Sequence, residues 1–196
     1  MRKSLLWGTA VTAGAAAAVW LVGLFVLPGE YRFGADVVIA KDPERVWAWF
    51  VEPEHWPARF SIVQSVEGAP ETLKDAGAHH RVTLRLPDGR TLVSDIVVTE
   101  AVAGRLYADR HLGDWLNGRP LPVANVTDRL EFGPDGTGKT RVVYTAIVEV
   151  NGPVDKWLAW LMLKPAADRV IADVVGDTRR AVDRGHQGAQ AQDPRA

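Results

Sequence analysis

Between residues 31 and 150 apolar and polar positions repeatedly alternate, a period of two that predicts β-strands with one covered face. The alternating runs are residues 31–40, 62–67, 78–86, 90–100, 105–111, 124–132 and 140–150. Pro87-Asp88-Gly89 has the composition of a hairpin turn between the third and fourth of them. One helix interrupts the series early. Asp42 supplies a cap, Pro43 the first helical position and Glu44 an acidic first turn, and the covered side is Val46, Trp47, Phe50 and Val51. Pro53 and Pro57 break residues 52–59 into a short turn-rich piece around His55 and Trp56. Residues 112–123, with Gly113, Gly118, Pro120 and Pro122 around Trp115 and Leu116, read as a long irregular loop.

After Asn151-Gly152-Pro153 the period changes. Val154, Trp157, Leu158, Leu161, Ala167, Val170, Ile171, Val174 and Val182 recur at steps of three and four, the stripe of an amphipathic helix reaching about Arg184, with a kink at Pro165. Strand, helix, short helical piece, six strands and a long helix predict an α+β helix-grip fold. A curved antiparallel sheet then wraps around the C-terminal helix and leaves a cavity beneath it.

The N-terminus follows neither period. Residues 5–27 carry no charge and reach roughly 34 Å as a helix, enough for a bilayer core of about 30 Å. Arg2 and Lys3 precede this stretch, so the positive-inside tendency keeps residues 1–4 cytoplasmic and places the following domain on the other side of the membrane. A cleaved signal peptide competes, since the Ala-rich residues 13–18 hold small-residue pairs. Hydrophobicity that continues through Leu27 favours a retained anchor. The organisation is thus a cytoplasmic N-terminus (1–4), a transmembrane helix (5–27), a ligand-binding domain (30–184) and a disordered Gly-, Gln- and Ala-rich tail (185–196) in a single-pass membrane protein.

Composition narrows the chemistry. Of 196 residues 47% are hydrophobic and 24% charged, the balance of a globular chain, and the net charge of −1 gives no field to recruit nucleic acid. Cysteine is absent, which removes disulfides, thiol catalysis and thiolate metal sites.

Several short motifs carry a resemblance. Leu27-Pro28-Gly29-Glu30-Tyr31-Arg32, Val38-Ile39-Ala40, Pro43-Glu44-Arg45-Val46-Trp47 and Glu54-His55-Trp56-Pro57 resemble the opening of membrane-anchored members of the SRPBCC superfamily. That group includes START-like, polyketide cyclase/dehydrase and Bet v 1-like proteins. The pattern extends over about residues 31–183, with one departure: Ala58-Arg59-Phe60 stands where many relatives carry a further Trp. The resemblance implies a hydrophobic cavity between sheet and helix and no particular reaction.

Candidate site residues follow from polar side chains on apolar strand faces. Asp128 shares a face with Val126, Leu130 and Phe132; Arg110 with Leu106 and Ala108; Tyr144 with Val142, Ala146 and Val148. Arg110, Asp128 and Tyr144 are therefore expected to project into the cavity, with His80 and Ser94 as weaker candidates. Trp115, Trp157 and Leu161 are expected to complete the lining. The five histidines show no metal-ligand spacing and read as structural or solvated, so no metal and no cofactor is expected. Gly133-Pro134-Asp135-Gly136-Thr137-Gly138-Lys139-Thr140 matches a phosphate-loop pattern, yet β-branched residues follow it instead of a helix, so it reads as a turn. The leading expectation is a membrane-anchored protein that binds a lipid-like or aromatic small molecule. The alternatives are a cyclase- or dehydratase-type enzyme using Tyr144, Arg110 and Asp128, and an interaction module built on the Trp115 loop with a filled core.

Overall fold

The computed structural model describes residues 20–163. Its elements are β1 (Glu30–Ile39), α1 (Pro43–Val51), a 3₁₀ turn (Pro53–His55), α2 (Trp56–Arg59), β2 (Val63–Glu67), β3 (His79–Arg85) and β4 (Thr91–Val102). After them come β5 (Leu106–Leu116), β6 (Arg119–Pro120), β7 (Asn125–Pro134), β8 (Thr140–Glu149) and α3 (Pro153–Leu158), which continues as a π-helical turn (Ala159–Leu163). The strands form one curved antiparallel sheet in the order β1-β8-β7-β5-β4-β3-β2, with the two-residue β6 paired to β5. The α+β class and the strand order along the chain follow the alternation in the sequence.

Local chemistry sets the elements as the sequence implies. The Asp42 carboxylate accepts from the Arg45 N–H at 3.0 Å and caps α1. The phosphate-loop look-alike is a turn between β7 and β8, where Asp135 accepts from the backbone N–H groups of Thr137 and Lys139. One piece differs. Residues 112–123 do not form an irregular loop, because β5 runs on to Leu116 and folds back at Asn117-Gly118. Both turn residues have positive φ, 49° and 76°, the geometry a two-residue hairpin turn requires.

Two apolar clusters occupy the inner face of the sheet. At one end α1 lays Val46, Trp47 and Val51 on Ile39, Val98, Tyr107, Phe132 and Val142. At the other, Tyr31, Phe33, Ala146, Val148 and Val150 pack with Ala159 of the last helix. The Tyr31 hydroxyl donates to the Lys156 carbonyl at 3.1 Å and ties that helix to β1.

The last helix starts at Pro153 as its turn predicts, but its stripe is rotated. Ala159 is the buried residue, whereas Leu161, an expected lining residue, is 57% exposed. Val154 and Leu158, in the α-helical part, are exposed as well, so the stripe already faces away from the sheet before the π-helical turn at Ala159. The remainder of the predicted helix and the tail lie outside the described residues. So do residues 5–19 of the predicted span, whose continuation, residues 20–25, is helical. Among the described residues no helix is long and apolar enough to cross a membrane.

Trp47 is the keystone of the first cluster: it is buried, and its indole N–H donates to the Leu106 carbonyl at 3.3 Å. Trp47→Ala is expected to destabilise the chain by about 3–5 kcal/mol in urea unfolding. A loss below about 1 kcal/mol would mean that α1 does not hold this end of the sheet.

Candidate functional site

Between the two apolar clusters the inner face turns polar. Period-two alternation carries Tyr107, Asp109 and His111 of β5 to this face. A bulge then adds one residue, so that Gly113 lies opposite Asp95 while His111 lies opposite Ile96, and Asp114 returns inward. Asp109 stands directly across from Asp128 of β7. Ser94 of β4 stands across from Asp114, and His80 of β3 across from Ile96.

These groups form a continuous relay. The Ser94 hydroxyl donates to Asp114 Oδ1 at 2.5 Å, and His111 Nδ1 lies 2.8 Å from the same oxygen. On its other side His111 Nε2 lies 3.1 Å from Asp128 Oδ2, and the Tyr144 hydroxyl donates to Asp128 Oδ1 at 2.8 Å. With a carboxylate at each ring nitrogen, His111 is an imidazolium that donates twice. Burial alone would push its pKa down, but the hydrogen bonds and charges of Asp114 and Asp128 overcome that and raise it to about 10. Burial, then the charge of Asp128, pushes the Asp109 carboxyl upward, while His111 opposes the shift. Burial, and then the Asp128 charge, also raises the Tyr144 phenol. His80 is buried against the Trp56 ring, at 5.6 Å between centroids. Burial first, and then the charges of His79 and His111, holds its imidazole down at about 4.

Not every buried group is satisfied. Neither ring nitrogen of His80 has a hydrogen-bond partner among the described residues. The Tyr107 hydroxyl and Asp109 Oδ1 have none at full hydrogen-bond geometry, although, beyond the larger effect of burial, the two groups lie close enough that Asp109 raises the Tyr107 phenol and Tyr107 draws the Asp109 carboxyl down. Each such group costs about 1–3 kcal/mol unless something meets it.

Asp128, Tyr144, Ser94 and His80 thus fall on the inner face as the alternation predicts. Arg110 does not. It is exposed and lies opposite Val97 and Thr127, which face outward between inward neighbours. Leu106, Tyr107 and Ala108 are all apolar, so the alternation in β5 fits either face, and pairing with β7 selects Asp109 and His111. On the inner face the partner of Asp128 from β5 is His111. Trp115 alternates with Asp114 and takes the outer face, its ring packed over Gly113 so closely that a Cβ there would lie 2.5 Å from Trp115 Cη2. Trp157 is half-buried and meets Trp160 edge-on at 5.8 Å. Asp109, Asp114, Tyr107 and His111 are the inner-face residues that the sequence reading passed over. Asp109-x-His111-x-x-Asp114 shows no regular spacing until the bulge is known.

Asp109, His111 and Asp128 each offer one ligand atom within 4.8 Å of the others. A cation there would take the place of the proton that His111 shares with Asp128; with the proton in place the arrangement is an imidazolium clamp. A second depression, of about 480 Å³, lies elsewhere, lined by Glu100, Arg105, Leu106, Arg129 and Glu131. Within it Arg129 pairs with Glu131 at 2.7 Å and with Glu100 at 3.7 Å.

Comparison with known proteins gives the wider context. Residues 31–183 match the sequence profile of the family described as polyketide cyclase / dehydrase and lipid transport. No curated protein matches the chain by sequence. Similar solved structures include the di-domain aromatase/cyclase BexL from the BE-7585A biosynthetic pathway, with 15% identity and a TM-score of 0.63 over 93% of this chain. The chain spans 61% of the length of that protein. The Zhui aromatase/cyclase from Streptomyces sp. R1128 has 17% identity and a TM-score of 0.57, covering 78% of this chain and 96% of its own. Major latex-like protein 151 from Panax ginseng has 12% identity and a TM-score of 0.54, covering 74% and 96% respectively. At these identities the likeness is one of fold.

The clamp has a pH signature. Folding binds the His111 proton more tightly, so its contribution is whole below the ordinary imidazole value of 6.5 and is lost as pH rises through about 10. Asp109, also raised, acts in the same direction. The thermal midpoint is expected to fall by several degrees from pH 6.5 to pH 10, and His111→Gln should start lower and lose most of that slope. An unchanged slope in His111→Gln would assign the titration to other groups.

Proposed function

Because the chain belongs to the polyketide cyclase / dehydrase and lipid transport family, we propose that it binds an apolar small molecule carrying a hydroxyl or carbonyl oxygen on the inner face of its sheet, tethered to a membrane by residues 5–27. One observation carries this reading: among the described residues both buried ring nitrogens of His80 lack a partner, and the buried Tyr107 and Asp109 have little but each other, on a face otherwise lined by two apolar clusters. Sites of this kind use apolar walls for affinity and a few placed polar groups for orientation. An oxygen on the ligand accepts from the Tyr107 hydroxyl or from a protonated Asp109, and a ligand hydroxyl donates to a neutral His80 imidazole. The relay through Ser94, Asp114, His111, Asp128 and Tyr144 fixes the surrounding side chains, so the anchors are held before the ligand arrives.

A second reading, an enzyme of cyclase or dehydratase type, is favoured by one feature. His80 stays neutral as a buried base while Asp109 is held in its acid form, so opposite proton-transfer roles sit on one face. Arg110, on the outer face, takes no part in it.

Binding of 2-naphthol against naphthalene tests the first reading, with the purified chain and calorimetric or fluorescence detection. A hydrogen bond to an otherwise unmet buried group is worth about 1–1.5 kcal/mol, so naphthol is expected to bind about tenfold tighter. The advantage should fall close to unity in the His80→Phe/Tyr107→Phe/Asp109→Ala triple variant. Equal affinities for the two probes in the parent chain would overturn the role given to these anchors.

A further inference from the structure

The end of the N-terminal apolar stretch and the start of the last helix form a single seam. The helical residues 20–25 close at Val22, whose carbonyl accepts from the Val26 and Leu27 N–H groups. A Cβ on Gly23 would stand 2.5 Å from the Pro153 carbonyl oxygen and 2.9 Å from Trp157 Cδ1, so only glycine allows this approach. The Lys156 ammonium reaches the Leu24 carbonyl at 3.5 Å and meets the end of that helix. Around this junction the apolar side chains face outward. Phe25 is 76% exposed, Val26 70%, Val154 60%, Leu161 57% and Trp160 46%. Among the described residues the large apolar side chains exposed elsewhere are only Val38, Val102 and Leu112, scattered over β1, β4 and β5. A contiguous patch of this kind marks a docking surface.

The sequence preceding the seam says what covers it. Residues 5–27 carry no charge, and Gly23 lies four residues inside the end of that run, in the last turn of its helix. Whatever packs sideways against Gly23 shares its depth. We propose that the first turns of the last helix, Val154 to Leu161, are immersed in the boundary between headgroups and acyl chains on the far side of the bilayer, beside the end of the anchor. Trp157 and Trp160 are then interfacial aromatics, and Arg32, on β1 next to the junction, remains in the headgroup layer. A flexibly tethered domain would need neither the Gly23 approach nor the outward-facing Val154 and Leu161. The inference rests on the anchor assigned to residues 5–27 and is independent of which ligand the inner face takes.

The absence of cysteine makes the test direct, because one introduced thiol is the sole labelling site. The full chain, reconstituted in vesicles of phosphatidylcholine and phosphatidylglycerol, is nitroxide-labelled in turn at Val154→Cys, Leu161→Cys, Gly14→Cys and Thr137→Cys. Accessibility to oxygen is then compared with accessibility to a neutral nickel chelate. Labels at 154 and 161 are expected to show an oxygen-to-nickel ratio several-fold above that of the aqueous turn at 137 and below that of the mid-span position 14. Ratios at 154 and 161 equal to that at 137, with position 14 in hydrocarbon, would overturn the docking while leaving the anchor in place. Low access to both reagents with spin–spin broadening would overturn it in favour of two copies pairing over the seam. An aqueous position 14 would remove the anchor and the docking together, without touching the naphthol result.

Discussion

The inner face of this sheet depends on how one buried cation is surrounded. His111 is taken out of water with a carboxylate on each side, and neither charge pattern nor burial is tolerable without the other. The arrangement requires His111 and Asp114, three positions apart on one strand, to face the same way. Plain alternation forbids that. The extra residue at the β5 bulge permits it, and Leu112, 54% exposed, is the residue turned out. Because β5 lies between β4 and β7, the same bulge brings Ser94 from one neighbour and Asp128 from the other into contact with the clamp. Tyr144 on β8 completes the line. The polar band is therefore a property of strand register, and the two apolar clusters flank it because α1 and the last helix cover the ends.

How much of this can be read from the sequence depends on which physical signal carries it. Strands with one consistently apolar face, such as β7 and β8, announce both their existence and their facing, which is why Asp128 and Tyr144 fall where the pattern places them. The Asp42-Pro43 start of α1 is equally explicit. In β5 the run Leu106-Tyr107-Ala108 offers no polar partner to break the tie, so facing is settled only by pairing, and Arg110 is placed on the wrong side. Asn117-Gly118 is a readable hairpin signal hidden among the prolines and glycines around it. The π turn at Ala159 has no local signature at all. Pro165, a few residues on, lacks the N–H that would close onto the turn before it, yet that indicates an irregularity without giving its direction.

Family membership and geometry speak to different questions. The family profile covers most of the chain and brings with it apolar ligands and cyclase-type chemistry as a class. The side chains supply what the class leaves open, namely which atoms are free to meet a ligand. Among the described residues the His80 ring nitrogens meet no partner and Tyr107 and Asp109 meet little but each other, whereas Asp114, Asp128, Ser94 and Tyr144 are engaged in the relay. That contrast is what supports the binding reading proposed above.

The clamp also has a charge balance with a chemical meaning. One imidazolium stands against two carboxylates, and burial pushes the Asp109 carboxyl beside them toward its acid form, so these four groups together carry one surplus negative charge. A guest with an ionised carboxylate or phosphate head would bring like charge into a region with little water to screen it. Alcohols, ketones and phenols escape that repulsion. On the reading proposed above, electrostatics within the sheet would favour a fatty alcohol over the corresponding fatty acid, before shape has any say.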